Sequence, residues 1–594
     1  MKKLLEILTQ EVADAFEKAG YDKEKAKVIV SNRPDLCDYQ CNGAMALAKM
    51  AGKAPFMIAE EITAFLSGSN AFEKVEVVKP GFINLKINDE FLVSYLTQMK
   101  EDKMLGVEKE ENPKNIVIDF GGANVAKPLH VGHLRSAVIG ECLKRICKFK
   151  GNNVVGDAHL GDWGLQMGLI ISEVQERQPD LPYFDENYEG EYPTEPPFTI
   201  AELGEIYPCA NAKSKTDDDF KEKARLATYE MQMGRRGYRA LWKHIIDVSL
   251  PDLKNNYDNL GVSFDLWGRE SDAHELIPDM VKYLKDGNYT TISEGALVVE
   301  VKEETDKKEI PPCMILKSNG ATLYNTTDLA TIVSRMKDYN ADHIIYVVDN
   351  RQELYFETVF RCAKKTKIVN EDTKLTFLGF GTMNGSDGKP FKTRDGGVMR
   401  LENLVADIDK AVFDKIMENR ETSSEEAEKT SKIIGLAALK YGDLSNQASK
   451  DYVFDISKFI SFEGNTGPYI LYTIVRIKSI LSKHAESMGK NINDLDLSEY
   501  KLISSSSDII KNLMMTIAKF NEVIDNAYEE LAPHKICAYI YELSDNFNRF
   551  YHETKILSEE NEDLKKSYIA LINLVKDTLE KSIDLLGFSA PDKM

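Results

Sequence analysis

The sequence has no long hydrophobic run, and its first residues are not typical of a secretory signal. No uninterrupted apolar stretch approaches the roughly 18 residues that a membrane-spanning helix needs. The basic start of the chain carries Glu6, Glu11 and Asp14 among its apolar residues, which favours an amphipathic helix over a signal peptide. These absences predict a cytoplasmic protein without a membrane partner.

Paired cysteines and an excess of positive charge are also missing. The eight cysteines form neither a CxxC pair nor a zinc-finger spacing, so we expect reduced thiols and no bound metal. Ligation by Cys37 and Cys41 is the minor alternative to buried or surface thiols. The net charge of −21 argues against nonspecific coating of nucleic acid, because phosphate neutralisation supplies most of that affinity. A local nucleic-acid footprint on one face stays open.

The length and periodicity of the chain predict several domains. Residues 1–110 combine helical periodicity with two β-rich runs around a Pro-Gly turn, which predicts a small α+β domain. Residues 111–400 alternate β-runs with helices, which predicts a doubly wound, Rossmann-like α/β domain with an insertion near 179–265. The remaining chain is helical in pattern and predicts a connecting region, 401–462, and a terminal all-α domain, 463–594.

Single elements of the α/β region are also predicted. The run Asn115–Phe120 predicts a strand, and a helix is expected from about Val131 to Lys150. The apolar run Leu375–Met383 predicts one strand near the end of the region. The stretch Pro179–Asp219 is rich in Pro, Glu and Tyr, and is expected to be irregular and on the surface.

Two histidines follow the first strand of this region. His130 and His133 flank Gly132 just ahead of an apolar helix, whose N-terminus favours an anion such as phosphate. Both imidazoles can donate hydrogen bonds to a phosphoryl group that gains charge, while Gly132 lets a flat base lie against the backbone. The tetrapeptide alone is weak evidence for a phosphate site, and the alternative is that the histidines only cap and pack the helix.

A glycine-rich segment with several cations, Gly381–Gly397, follows the last predicted strand. Flexible Lys389, Lys392 and Arg394 can close over a pyrophosphate leaving group. Alone, such a segment is more often a solvated basic turn. At the far end of the same sheet as the histidines, it predicts the second half of an ATP site.

Longer blocks carry a family resemblance. The stretch ANVAKPLHVGHLRSAVIG resembles the signature of class I aminoacyl-tRNA synthetases, and its flanks are similar to the arginyl-tRNA synthetase family. Further similar blocks follow in the family order, namely DAHLGDWGLQMG, LYNTTDLATI, YVVDNRQELYF, DGKPFKTRDGG, GNTGPYILYTIVRI and LLGFSAPDKM. The resemblance covers most of the chain. It implies an ATP-dependent ligase that joins L-arginine to tRNA(Arg), with Mg²⁺-ATP as substrate, no permanently bound cofactor and a monomeric state.

The resemblance also implies the ATP site. His130 and His133 would stabilise adenylate formation, and Lys127 is a candidate compensating cation. The cationic segment departs from the family's KMSKS pattern: Lys389 and Lys392 align as K-x-x-K, or Thr393-Arg394 align with its end, and both alignments stay open. The implied ATP-binding residues are His130, Gly132, His133, Gly381, Thr382 and Lys392.

Recognition of arginine needs carboxylates and an aromatic face for the guanidinium. Tyr324 and Asp328 lie four apart and share one helix face. They match the family's arginine-binding pair, and Glu270 resembles the second carboxylate; a helix cap or solvated charge is the alternative for each. Asp119, Asn124 and Gln352 fall at positions that hold the α-amino end in the family.

The turn Gly161–Gly164 is either a tight turn around a core tryptophan or a substrate contact, and both remain open. His159 and Gln166 beside it are expected to line the same cleft.

The terminal helical domain resembles the family's anticodon-binding domain. Exposed aromatics there are expected to stack on unpaired bases, whereas Phe547 and Phe550 are assigned to the core. The candidate tRNA contacts are Phe82, Asn84, Tyr469, Tyr472, Tyr551 and Met594. The rival hypotheses are a class I synthetase for another amino acid, a noncatalytic tRNA-binding paralogue and a small-molecule adenylyltransferase.

Overall fold

The structure is a computed structural model. It describes residues 1–385, 387–389, 399–418, 423–505 and 507–594. Among these residues, no helix combines the length and the apolar character that crossing a bilayer would require.

Strands and α-helices are numbered in chain order over the described residues. The strands are β1 (Val28–Val30), β2 (Tyr39–Cys41), β3 (Phe72–Val78), β4 (Phe82–Ile87), β5 (Asn115–Asp119), β6 (Asn153–Asp157), β7 (Thr291–Ser293), β8 (Ala296–Val299), β9 (Cys313–Leu316), β10 (His343–Asp349), β11 (Lys374–Phe380), β12 (Met383–Asn384) and β13 (Tyr452–Val453). The helices are α1 (Leu4–Lys18), α2 (Gly43–Ala51), α3 (Pro55–Thr63), α4 (Asp89–Glu101), α5 (Leu134–Phe149), α6 (Leu165–Arg177), α7 (Ile200–Thr216), α8 (Asp218–Gln232), α9 (Arg236–Asn259), α10 (Ile277–Asp286), α11 (Tyr324–Tyr339), α12 (Glu353–Lys365), α13 (Leu401–Met417), α14 (Ser424–Leu444), α15 (Ile456–Phe459), α16 (Gly467–Ser487), α17 (Asp508–Ala518), α18 (Phe520–Glu529), α19 (His534–Glu553) and α20 (Glu562–Leu585).

The chain folds into two compact units. The first contains Met1–Lys109, Phe462–Asp584 and Ser589–Met594. The second contains Glu110–Ser461 and Leu585–Phe588. The α+β segment at the start of the chain and the terminal helices therefore share one unit, which local periodicity did not predict.

A buried lysine joins the two parts of the first unit. Lys511 on α17 donates to the backbone carbonyl of Ile87 at 2.9 Å and pairs with Asp89 at 2.9 Å and Asp38 at 3.4 Å. A buried ammonium is costly unless it is paired in this way, so these partners fix one packing arrangement. The α+β part carries the antiparallel sheet β1-β2-β4-β3, with the predicted turn between β3 and β4.

The second unit is built on a parallel sheet with the order β11-β10-β5-β6. Its strands are nearly continuous apolar runs, as expected for strands covered on both faces. The predicted parallel α/β fold is confirmed. Adjacent β5 and β6 end in register at Asp119 and Asp157, so acidic side chains meet at the carboxyl edge of the sheet, where such folds bind ligands.

The stretch Pro179–Asp219 is less irregular than predicted. Its second half forms α7, a helix that starts from a reciprocal cap between Thr199 and Glu202 and buries Leu203 and Ile206. The prediction was wrong there because Pro208 lies inside the helix, where proline usually breaks the pattern.

Candidate active site

His130 and His133 lie at the N-terminal end of α5 and use their Nδ1 atoms to shape the turn. The backbone N–H of Gly132 donates to Nδ1 of His130 at 3.0 Å, and the backbone N–H of His130 donates to Nδ1 of His133 at 3.2 Å. A neutral imidazole that accepts at Nδ1 carries its proton on Nε2. Both rings therefore cap the turn with one nitrogen and keep an Nε2–H donor available.

The surroundings keep both histidines neutral. Burial, followed by the charge of Lys127, lowers the pKa of His130. Burial and the neighbouring His130 lower the pKa of His133 to about 3. At neutral pH the pair consists of two uncharged hydrogen-bond donors, with rings 4.1 Å apart between centroids.

Glycine is required at position 132 for a local reason that the sequence did not reveal. A Cβ atom at this position would lie 2.8 Å from Cε1 and 2.9 Å from Nδ1 of His130. Any larger residue would therefore displace the His130 ring. The expected stacking of a base on Gly132 stays a prediction, and the residue is exposed, as that role requires.

The structure joins the histidine segment to the chain that follows the segment between β12 and α13, which we call the cationic loop. The N–H of Val131 donates to the carbonyl of Met399 at 3.1 Å, and the N–H of Leu401 donates to the carbonyl of Leu129 at 2.9 Å. Lys389, on the β12 side of the loop, is exposed. Lys392 and Arg394 lie outside the described residues, so their predicted roles stay predictions.

Lys127 lies in the loop between β5 and the histidines. Its Nζ is 4.5 Å from the ring centroid of Tyr207 on α7, a cation–π distance. Its charge contributes to the lowered pKa values of both histidines. The insertion thus supplies a ring that fixes the position of this cation beside the histidine pair.

A cavity of about 750 Å³ is lined by Glu270, Tyr324 and Trp163. Glu270 begins a 3₁₀ turn, and its N–H donates to the carbonyl of Leu160 at 3.0 Å. Burial raises the pKa of Glu270 to about 7, and the charge of Asp328 acts in the same direction. The anionic form of this carboxylate is therefore costly until a cation approaches it.

Asp328 lies one helical turn after Tyr324 on α11. It accepts a hydrogen bond from the hydroxyl of Tyr355, and burial raises its pKa despite that bond. Tyr324 keeps 65% of its surface exposed at the cavity. The predicted trio of two carboxylates and one aromatic ring is thus brought together, with the chemistry that a guanidinium requires.

Asp119 is held by a cation that sequence reasoning missed. Nη2 of Arg335 lies 2.6 Å from Asp119 Oδ2 and 2.7 Å from Asp157 Oδ2. Burial lowers the pKa of His159, but the neighbouring Asp157 and Asp119 outweigh it and raise the pKa overall. Arg335 follows Asp328 by two helical turns on α11, and this spacing is the signal that would have found it.

The other residues predicted to line the cleft differ in exposure and in contacts. The exposed Asn124 pairs by its backbone with Gly161, where a Cβ would come within 2.2 Å of the Asn124 amide oxygen. Gln352 is exposed in the 3₁₀ turn that follows β10. Trp163 is 3% exposed yet lines the cavity, so a substrate contact at its turn stays a prediction. Gln166 donates to a loop carbonyl after β5 at 2.7 Å.

Gly381 and Thr382 lie just before β12, the strand that leads into the cationic loop. The N–H of Gly381 donates to the carbonyl of Ala448 at 2.9 Å, and the N–H of Thr382 donates to Asp451 Oδ1 at 2.6 Å. A Cβ at Gly381 would lie 2.5 Å from the Lys450 backbone. This close approach explains why glycine stands there.

The first unit presents an aromatic cluster on α16 and α19. Tyr472 and Tyr551 are 40% and 38% exposed, and the Arg476 guanidinium lies 4.7 Å and 4.9 Å from their ring centroids. Tyr469 accepts from the Asn548 amide at 2.9 Å and is half-buried. We call Tyr472, Arg476 and Tyr551 the stacking cluster.

Other predicted tRNA contacts differ in exposure. Phe547 and Phe550 are fully buried, as expected of core residues. Phe82 is half-buried, and Met594 is 39% exposed. Asn84 is only 5% exposed, and its amide oxygen accepts from Gln40 at 2.8 Å, so its side chain is already engaged.

Comparison with known families assigns the class of protein first. Residues 95–456 match the family described as tRNA synthetases class I (R), catalytic domain. Residues 2–87 match the arginyl tRNA synthetase N terminal domain, and residues 470–594 match the DALR anticodon binding domain. The parallel-sheet unit with its histidine pair is thus the catalytic domain of a class I tRNA synthetase.

Relatives along the whole chain then assign the family. The arginine–tRNA ligases of Agathobacter rectalis and Alkaliphilus oremlandii are 62% and 55% identical over 100% of both chains. The arginyl-tRNA synthetase structure from Plasmodium falciparum has a TM-score of 0.82 at 25% identity and covers 100% of both chains. That from Thermus thermophilus has the same fold, with a TM-score of 0.78 at 21% identity, over 99% of this chain and 100% of its own. The chain belongs to the arginyl-tRNA synthetase family.

Proposed function

We propose that this chain activates L-arginine with Mg²⁺-ATP and transfers the arginyl group to the terminal adenosine of tRNA(Arg). The observation that carries the proposal is the presence of two kinds of recognition at one edge of the parallel sheet. Neutral histidines suited to phosphate lie at the carboxyl edge of the sheet. Two carboxylates with raised pKa values, suited to a guanidinium, lie near the same edge.

In the first step, the arginine carboxylate attacks the α-phosphorus of ATP, and pyrophosphate leaves. The Nε2–H groups of His130 and His133 would donate to phosphoryl oxygens as charge develops there. Lys127, Lys389 and Lys392 are the proposed cations for the pyrophosphate. Positioning and charge stabilisation suffice, and no covalent enzyme intermediate is required.

The guanidinium is proposed to bind between Glu270 and Asp328, with Tyr324 as the aromatic face. A cation there favours the anionic form of both carboxylates, which burial alone disfavours. Asp119, Asn124 and Gln352 are proposed for the α-amino end. Because Arg335 pairs with Asp119, this carboxylate is held in one position before the substrate arrives.

In the second step, the 2′-hydroxyl of the terminal adenosine takes the arginyl group from the adenylate. We propose that the stacking cluster binds unpaired anticodon bases, because exposed tyrosine rings and an arginine plane are suitable surfaces for them. Tyr469 would position Asn548 beside the cluster. Phe82 and Met594 remain proposed contacts, and Asn84 would act by holding Gln40.

Charging of purified tRNA with radiolabelled arginine tests the function. Wild-type protein is expected to form acid-precipitable arginyl-tRNA, and His133→Ala is expected to lose about 10²–10³-fold in kcat, the usual effect of removing one transition-state donor. A variant of an exposed residue in the first unit, Met50→Ala, is the control.

Pyrophosphate exchange with each of the common amino acids, in the presence of total tRNA, tests the substrate. Exchange that depends on an amino acid other than arginine would contradict the proposal. The monomeric state stays a prediction.

A further inference from the structure

Adenylate formation in the proposed function needs two chain segments at a fixed separation. The histidines lie at the start of α5, and the cationic loop lies between β12 and α13. A misplacement of about 1 Å between catalytic groups can cost about 100-fold in rate. The contacts that fix each end of the loop relative to α5 are therefore part of the machinery.

The two ends of the loop are fixed differently. On the α13 side, backbone bonds of Val131 and Leu401 tie the chain directly to the histidine segment. On the β12 side, the backbone of Gly381 and Thr382 bonds to the segment Ala448–Asp451. These bonds do not reach α5 themselves.

Arg135, the second residue of α5, makes that connection. Its Nη1 donates to the carbonyl of Gly381 at 2.8 Å and to the carbonyl of Lys450 at 2.9 Å. Its Nε donates to Asp443 Oδ1 on α14 at 2.9 Å. Its guanidinium also lies 5.0 Å from the ring centroid of Tyr452 on β13. One side chain thus joins the histidine helix, the base of the loop and the segment that pairs with it.

The geometry requires arginine specifically. Arg135 is 2% exposed and Asp443 is fully buried, and a buried ion pair is a poor source of net stability. The planar fork addresses three acceptors in fixed directions while its face meets an aromatic ring, which a lysine ammonium cannot reproduce. Arg135 therefore contributes more to the position of the loop base than to the stability of the fold.

We propose that Arg135 is a positioning residue for adenylate formation, because its guanidinium holds the base of the cationic loop at a fixed distance from His130 and His133. The inference rests on the proposed function for its kinetic readout. Its structural readout is independent of activity.

The experiment compares full-length wild type with Arg135→Lys, which keeps the charge and loses the fork. Arginine-dependent pyrophosphate exchange, with tRNA present, is expected to show kcat lowered by about 100-fold and KM for arginine unchanged. Asp443→Asn keeps the side-chain volume and is expected to lower kcat by about 10-fold. It is the second variant if Arg135→Lys does not fold.

The matched control is Lys440→Met, which removes another fully buried cation from α14. Lys440 donates to the carbonyls of Gly261 and Gly587, and neither residue belongs to the loop, so its loss tests stability. Hydrogen exchange followed by mass spectrometry gives the second readout. Amides of residues 381–389 are expected to exchange faster in Arg135→Lys, those of residues 399–405 at the wild-type rate, and neither segment is expected to change in Lys440→Met.

A wild-type kcat in Arg135→Lys would overturn the inference. Loss of kcat with unaltered exchange in residues 381–389 would overturn it too, as would an equal loss of kcat in Lys440→Met. A wild type without arginine-dependent exchange contradicts the proposed function instead. In that case the hydrogen-exchange comparison still decides whether Arg135 holds the loop.

Discussion

Arginine binding should depend on pH through Glu270. Burial, reinforced by Asp328, raises the pKa of this carboxyl to about 7. Roughly one-tenth of Glu270 is therefore ionised at pH 6, about half at pH 7 and about nine-tenths at pH 8. A bound guanidinium stabilises the anion and lowers that pKa, so arginine binds more tightly as pH rises. The dissociation constant should fall by up to about tenfold between pH 6 and pH 8, which is about 1.4 kcal/mol.

Titration calorimetry without ATP measures this directly. At pH 7, repeating the titration in buffers of different protonation enthalpy should show release of roughly half a proton per arginine bound. Glu270→Gln is expected to bind arginine more weakly and to lose most of the pH dependence. His159, Asp162 and Asp328 also face Glu270 and remain in the variant, so any pH dependence that persists in Glu270→Gln belongs to those groups.

A wild-type dissociation constant that stays constant from pH 6 to pH 8 would refute the proposed role of Glu270. The same slope in wild type and Glu270→Gln would show that another group titrates.

Three further changes probe other parts of the molecule. Asp328→Asn should cost about 2–5 kcal/mol in kcat/KM for arginine, because it removes a buried charge partner; a loss confined to ATP would contradict this assignment. Tyr472→Ala should weaken tRNA binding by about 1–3 kcal/mol in a filter assay, whereas Met488→Ala, just past the end of the same helix, should not. Lys127→Ala should slow adenylate formation far more than it changes arginine affinity, and unchanged turnover would reject its proposed role.

The local hydrophobic pattern was sufficient to predict the strand and the helix that position the candidate site. The strand expected in Asn115–Phe120 is β5, and the helix expected from Val131 to Lys150 is a 3₁₀ turn followed by α5. Apolar periodicity succeeds here because these elements are long and packed on the core. The run Leu375–Met383, predicted as one strand, is split into β11 and β12. Gly381 lies between them, where the chain touches the Lys450 backbone, and no local pattern reports such a contact.

The sequence by itself determined the alternation of strands and helices, the order of the family blocks and the identity of the histidines and carboxylates. Tertiary structure alone decided which charges meet. Arg335 pairs with Asp119 across more than two hundred residues of chain, and Lys511 joins the terminal helices to the first hundred residues. The physical reason is that hydrophobic periodicity acts over a few residues, whereas the pairing of buried charges depends on distances that exist only after the chain has folded.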